Sequence, residues 1–181
     1  MSFLALFHVL AGLAALIAGC AILGLRKGDR RHRRLGWIYV VAMLASLGAI
    51  LLNGLRGPAP FHAYAAVVAC GIVAAIVATR RRDRIAAWRS WHAALMAFSL
   101  LAAAIAVGGV AGGLILGVGR GPVYYRMFNA VIVVGTVAGL WFLGTRESVW
   151  GRQLRPAERR ARLWFTGIVA TVSGLLVLAQ L

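Results

Sequence analysis

The sequence predicts an all-α polytopic membrane protein with six transmembrane helices, and composition and segment length support this. The chain of 181 residues is 62% hydrophobic, and its mean hydropathy of +0.86 is too high for a soluble domain with a polar surface. Its apolar runs reach the roughly 20 residues that cross a bilayer as a helix. They are much longer than a barrel strand, and lipid accommodates only helices or closed barrels.

Six apolar segments account for nearly all of the sequence. They cover residues 3–25, 35–55, 60–79, 88–113, 123–144 and 163–181. Because the connections between them are short, the sequence predicts a single transmembrane domain over residues 1–181. It leaves no room for a separate extramembrane domain within these residues.

The net charge of +16 is concentrated in alternate loops. The second and fourth loops contain only Arg56, Arg120 and Arg126 as basic residues. The basic residues of the first, third and fifth loops are Arg26, Lys27, Arg30, Arg31, Arg33, Arg34, Arg80, Arg81, Arg82, Arg84, Arg89, Arg146, Arg152, Arg155, Arg159, Arg160 and Arg162. This positive-inside pattern predicts a bacterial inner-membrane protein with both termini outside the cytoplasm. It explains the charge better than nucleic-acid binding does, so the predicted partner is the lipid bilayer.

Two motifs recur in the same order and predict an internal duplication. An FH pair and an R-x-x-D-R corner repeat without a gap between them, at residues 7–8 and 26–30 and again at 61–62 and 80–84. A short insertion then aligns the H-x-x-L of residues 32–35 with that of residues 92–95. The sequence therefore predicts a duplicated helical hairpin that forms a four-helix core. Repeat A covers 1–55, repeat B covers 60–113, and an appended helix pair covers 123–181.

The four histidines, His8, His32, His62 and His92, are the candidate functional residues. Each lies at or near the start of one of the first four segments. An ionisable side chain in a membrane indicates function, and neutral imidazole commonly ligates haem iron. In the predicted topology His8 and His62 lie towards the outer leaflet, and His32 and His92 towards the inner leaflet. Because facing helices of a bundle can bring such residues together, we predict two haem b sites. His8 and His62 would ligate the iron of the outer site, and His32 and His92 that of the inner site.

The residues near these histidines admit two interpretations each. Small residues follow His8 at helical spacing, namely Gly12, Ala15 and Gly19. They would leave room for a flat macrocycle, or they would let two helices pack closely. The second segment has a heptad-spaced polar seam, which consists of His32, Tyr39, Ser46 and Asn53. This seam would serve a cofactor or a quinone, or it would make hydrogen bonds between helices.

The remaining polar and sulfur residues argue against two other functions. The four acidic residues, Asp29, Asp83, Glu147 and Glu158, all fall in predicted cytoplasmic loops. Proton- and cation-coupled carriers usually use a carboxylate within the membrane, so a coupled transporter is disfavoured. Cys20 and Cys70 lie inside apolar segments without metal-ligand spacing, so we interpret them as packing residues.

The stretches FHVLAGLAALIAG and HRRLGWIYVVAMLAS resemble an uncharacterised family of small bacterial predicted membrane proteins. That family has a histidine early in the first helix, matched by His8, and an H-R-x-L-G-x-x-Y start to the second. The matching residues of the second motif are His32, Arg33, Leu35, Gly36 and Tyr39. This resemblance covers about the first two helices and supports the topology. More distantly, the layout of one histidine per helix is similar to that of di-haem transmembrane b-type cytochromes, although no further motif is shared and His32 stands in an arginine run.

Two functional hypotheses follow from these patterns. The leading one is an integral inner-membrane electron carrier that binds haem b through paired histidines, with a quinone or a redox protein as its partner. The alternative is a noncatalytic membrane protein with interfacial histidines, either an assembly subunit or a binder of lipid or an apolar ligand. No catalytic residue is assigned, and the sequence leaves open whether the protein is an enzyme.

The charge pattern generates a direct test of topology. A reporter fused after Leu181 should be active on the periplasmic side, and one fused near Arg155 on the cytoplasmic side. Paired alkaline phosphatase and green fluorescent protein fusions measure both. The reverse pattern would overturn both the orientation and the assignment of the histidines to leaflets.

Overall fold

Four long helices make up most of the described part of the protein. The computed structural model describes residues 3–53, 59–85 and 88–115, together with 130–132, 134–135, 137–138, 141, 156, 159–160, 163–164, 166–168 and 171. The helices are α1 (Phe3–Leu23), α2 (Arg30–Asn53), α3 (Ala59–Arg80) and α4 (Trp88–Ile115). Each is long and apolar enough to cross a membrane. The prediction of α-helices is therefore confirmed for these four segments, and their length and composition are consistent with a membrane protein.

The fifth and sixth predicted segments are described only in part. Within 123–144 and 163–181, every described residue is helical, but both ends of 123–144 and the C-terminal end of 163–181 lie outside the described residues. Gly135 of the fifth segment lies close to α4, because a Cβ added to it would come within 2.8 Å of the Ile105 side chain. The appended segment therefore contacts α4 at this point.

Helix α2 begins five residues before the predicted start of its apolar segment. The Asp29 carboxylate accepts the His32 backbone N–H at 2.6 Å, which caps the helix in the usual N-cap manner. Gly28 adopts a left-handed φ of 87° immediately before this cap. The arginine-rich stretch 30–34 therefore forms the first turns of α2 rather than a loop. Hydropathy missed these turns because it does not detect a cap.

The contact between α1 and α2 buries small residues of α1 and leaves its large ones facing outwards. Ala15 is 0% exposed, and Ala18 and Gly19 are also buried. The buried residues of α2 are Tyr39, Val40, Met43, Ser46, Leu47 and Ala49, most of which are larger than the buried residues of α1. The exposed large residues of α1 include Phe3, Leu6, Leu10, Leu13 and Ile17. This distribution suits a bilayer, where lipid is as apolar as leucine and close backbone approach favours association.

The chain divides into two compact units, 1–69 and 70–181, with the boundary inside α3. The first contains α1, α2 and the start of α3. In the second, Gly71 of α3 lies against Phe98 of α4, because a Cβ added to Gly71 would be in ordinary contact with that ring at 3.6 Å. Ile72 and Phe98 are both fully buried. The duplication of the hairpin stays a prediction.

Gly12 provides a test of the close approach between α1 and α2. A Cβ added to it would lie 3.2 Å from Ser46 Oγ, whereas one added to Gly48 of α2 would meet nothing within 4 Å. Replacing glycine by alanine favours a helix by about 1 kcal/mol at either position. Crowding at Gly12 should offset this gain, so Gly12→Ala should be less stable than Gly48→Ala by about 1 kcal/mol.

The measurement is the free energy of unfolding of both variants in detergent micelles. Gly48→Ala is the matched control, because it has the same propensity effect without the crowding. Equal stability of the two variants would contradict the observed packing at Gly12.

Candidate functional site

His8 lies on the face of α1 that packs against α2, one helical turn before Gly12. Its Nδ1 atom is 3.0 Å from the Ser46 carbonyl oxygen and 2.8 Å from Ser46 Oγ. The Ser46 hydroxyl also lies 3.1 Å from the His8 carbonyl oxygen, to which it donates. Three polar contacts thus join one residue of α1 to one residue of α2.

The chemistry of these contacts assigns the proton on the His8 ring. A carbonyl oxygen can only accept, so Nδ1 carries the proton that it donates to Ser46. The single hydroxyl proton of Ser46 goes to the His8 carbonyl, which leaves Ser46 Oγ free to accept from Nδ1 as well. The neutral ring then has its lone pair on Nε2. This Nε2 atom has no hydrogen-bond partner among the described residues.

The small residues near His8 serve helix packing on this face. Ser46 lies against Gly12, and Ala15 is fully buried further along the same face. The space that glycine and alanine leave is therefore taken up by α2 where Gly12 and Ser46 meet. At this point Ser46 Oγ occupies the space beside Gly12, which agrees with the interpretation of close helix packing.

His92 makes a related contact in the second unit. Its Nδ1 atom is 3.3 Å from the Ala75 carbonyl oxygen of α3. Because this acceptor also has no proton, the contact again places the ring proton on Nδ1. Both His8 and His92 therefore direct Nδ1 at a backbone carbonyl of a neighbouring helix.

His32 differs from these two histidines. Its Nδ1 atom is buried and has no hydrogen-bond partner among the described residues, although its backbone N–H donates to the Asp29 carboxylate. It lies on the same face of α2 as Tyr39 and Ser46, which are 2% and 3% exposed. The seam predicted on α2 thus faces inwards at these positions, and Ser46 makes hydrogen bonds between helices. The side chain of Asn53, its fourth member, lies outside the described residues.

His62 is half-buried, and its side chain makes no hydrogen bond with the described residues. Val73, eleven residues further along α3, is 51% exposed, so the face of α3 that bears His62 is not buried at this position. The described residues contain no group of three or more His, Cys, Asp or Glu that could hold a metal ion. Pairing of His8 with His62, and of His32 with His92, stays a prediction.

Two partners of the histidines were missed by sequence reasoning. Ser46 was assigned to a polar seam, but its contact with His8 was not predicted. A comparison of the polar residues that lie at equal depths in two antiparallel helices would have predicted this contact. The Ala75 carbonyl has no sequence signal, because any residue supplies a carbonyl.

Cys20 and Cys70, interpreted as packing residues, are free thiols on the exposed surface.

Comparison with known protein families, curated proteins and solved structures finds no match to this chain. The geometry of the histidines and the charge pattern are therefore the basis for any assignment of function.

A double-mutant cycle measures the contact between His8 and Ser46. His8→Ala, Ser46→Ala and the double variant should show a coupling free energy of about 0.6 kcal/mol, the average for hydrogen bonds between membrane helices, and at most about 1.7 kcal/mol. The coupling should be favourable because both substitutions remove the contact between His8 Nδ1 and Ser46 Oγ. Unfolding in mixed micelles with increasing sodium dodecyl sulfate provides the four stabilities.

The control cycle replaces His8→Ala by His62→Ala and keeps Ser46→Ala. Because the His62 side chain has no described hydrogen bond, the two changes should be additive. A His8–Ser46 coupling no larger than that of the control would refute the contact.

Proposed function

We propose that this integral membrane protein binds haem b through its histidines and carries electrons across the bilayer. His8 and His62 would ligate the iron of an outer site, and His32 and His92 that of an inner site. The observation that supports this most is the His8 ring, whose Nδ1–H is directed at the Ser46 carbonyl while Nε2 keeps its lone pair. A quinone or a redox protein would be the electron donor or acceptor.

The hydrogen bonds of the histidine rings are compatible with ligation of a haem iron. A histidine that ligates a metal usually donates its other ring N–H to a carbonyl or carboxylate, which holds the ring in place and makes the ligating nitrogen more basic. His8 has this arrangement, and the Nδ1 contact of His92 is of the same kind. The buried Nδ1 of His32 has no hydrogen-bond partner among the residues that the structure describes, so it would be a further nitrogen able to bind a ligand.

The residues of the chain would position the cofactor rather than react. A bound haem supplies one-electron redox chemistry through its iron. Ser46 would act as a positioning residue, because it holds His8 and does not itself ligate. The apolar helices would exclude water from the sites and so influence the reduction potential.

The alternative function is a noncatalytic membrane protein in which the histidines stabilise the fold. The contacts of His8 with Ser46 favour it, since they tie α1 to α2 without any ligand. The filled space at Gly12 favours it as well. In an assembly subunit or a binder of lipid, the role of His8 would be to join α1 to α2.

The distribution of charge supports placement in a bacterial inner membrane with both termini outside the cytoplasm. The basic residues at the start of α2 belong to the helix itself, but they lie at its predicted cytoplasmic end. The number of basic residues on the cytoplasmic side is therefore unchanged. In this orientation His8 lies near the periplasmic surface and His32 near the cytoplasmic surface. Electrons would then pass between the two faces of the membrane.

The visible absorption spectrum of the purified protein, after haem supplementation, tests the proposal. The wild type should show a Soret band, and His8→Ala or His62→Ala should remove the part contributed by the outer site. Loss of the axial ligand is the physical reason. Cys20→Ala is the control and should leave the band intact.

Ser46→Ala distinguishes haem ligation by His8 from a purely structural role of the contact between His8 and Ser46. It keeps the backbone carbonyl that accepts from Nδ1, so the Soret band should remain, while the stability falls. If the wild type shows no band, the haem proposal is wrong. A loss of stability in both His8→Ala and Ser46→Ala would then support the noncatalytic alternative.

A further inference from the structure

Three exposed arginines and an exposed tryptophan share one face of the first turns of α2. Arg33 and Arg34 follow Arg30 by three and four residues, and Trp37 follows one turn later, so the four residues are neighbours on the helix surface. We name these four residues the arginine face. It points away from the packed side of α2, because Tyr39, about half a turn beyond Trp37, is buried. All of these residues lie in a continuously described stretch of the chain.

The arginine face has no carboxylate that balances its charge. Asp29 is the only acidic residue in the loop before α2, and the first turn of α2 contains none. The Asp29 carboxylate caps the helix by accepting a backbone N–H at 2.6 Å. Arg30, Arg33 and Arg34 make no ion pair with the described residues. Three guanidinium groups on one face are therefore complementary to an anion, and guanidinium geometry suits a phosphate.

The arginine face continues into apolar surface at the depth where a bilayer begins. Trp37 is 53% exposed, and Val41, one turn further along α2, is 62% exposed. Tryptophan commonly lies at the boundary between hydrocarbon and headgroups. Arg33 and Arg34 precede Trp37 by about 5 Å along the helix axis, and the headgroup layer is about 5–7 Å thick on each side. With Trp37 at the boundary, both arginines lie at the level of the lipid phosphates.

We propose that the arginine face binds one anionic phospholipid of the leaflet in which α2 begins. Arg30, Arg33 and Arg34 contact its phosphate, Trp37 lies at the level of its ester groups, and one acyl chain lies along Val41. A lipid is favoured over a soluble anion, because it matches both the cationic and the apolar part of this face. The site is independent of the proposed haem sites, since it uses none of the histidines.

Native mass spectrometry of the detergent-solubilised full chain tests the proposal. The probes are phosphatidylglycerol and phosphatidylcholine with the same acyl chains, together with glycerol phosphate, which has no chain. We expect one tightly retained phosphatidylglycerol, weaker retention of phosphatidylcholine and no retained glycerol phosphate. Arg33→Gln should weaken phosphatidylglycerol binding about five-fold, as expected for the loss of one cation at a membrane surface, and adding Arg34→Gln should weaken it by about five-fold more.

Arg31→Gln is the matched control. Arg31 is exposed in the same turn of α2, but it is six residues from Trp37 and so does not neighbour it on the helix surface. Its replacement removes the same charge, and phosphatidylglycerol binding should change little. Glutamine and arginine have similar helix propensities, so circular dichroism should show the same helix content in every variant.

Two results would overturn the proposal. Equal weakening by Arg31→Gln and Arg33→Gln would show that the protein attracts lipid through its total charge rather than through the arginine face. Equal retention of the two phospholipids, or retention of glycerol phosphate, would show that the face does not select an anionic lipid.

Discussion

The contact between His8 and Ser46 satisfies polar groups in a part of the chain where lipid provides no hydrogen bonds. An unpaired ring N–H at this position would cost free energy, and so would an unpaired serine hydroxyl. Each group finds its partner on the other helix, at 2.8–3.1 Å. The register of α1 against α2 depends on this contact, because a shift by one residue would separate His8 from Ser46.

Close backbone approach makes that contact possible. The absence of a side chain at Gly12 lets Ser46 reach α1, and Ala15 and Gly19 keep the remainder of the interface narrow. The large apolar residues of α1 consequently face outwards, where lipid contacts them without penalty. A water-soluble protein would have the opposite arrangement, with its large apolar side chains inside. The interior of this hairpin is therefore formed by small and polar residues on α1.

The histidines fall into different chemical environments despite their similar positions in the sequence. His8 and His92 each direct Nδ1 to a carbonyl of a neighbouring helix, whereas the buried Nδ1 of His32 has no partner in the described part of the chain. A common role in haem ligation requires a lone pair that faces the iron. His8 has such a lone pair on Nε2, because its ring proton is on Nδ1.

The sequence by itself determined the class of protein, because apolar runs of bilayer length have few other solutions. It also identified the faces of α1 and α2, since Gly12, Ala15, Tyr39 and Ser46 recur at helical spacing. It did not determine the start of α2, because the Asp29 cap depends on local geometry that hydropathy ignores. Only the tertiary structure decided that Ser46 holds His8 and that the Ala75 carbonyl accepts from His92. Such partners depend on the depth and rotation of two helices, and a backbone carbonyl has no residue type that a sequence could reveal.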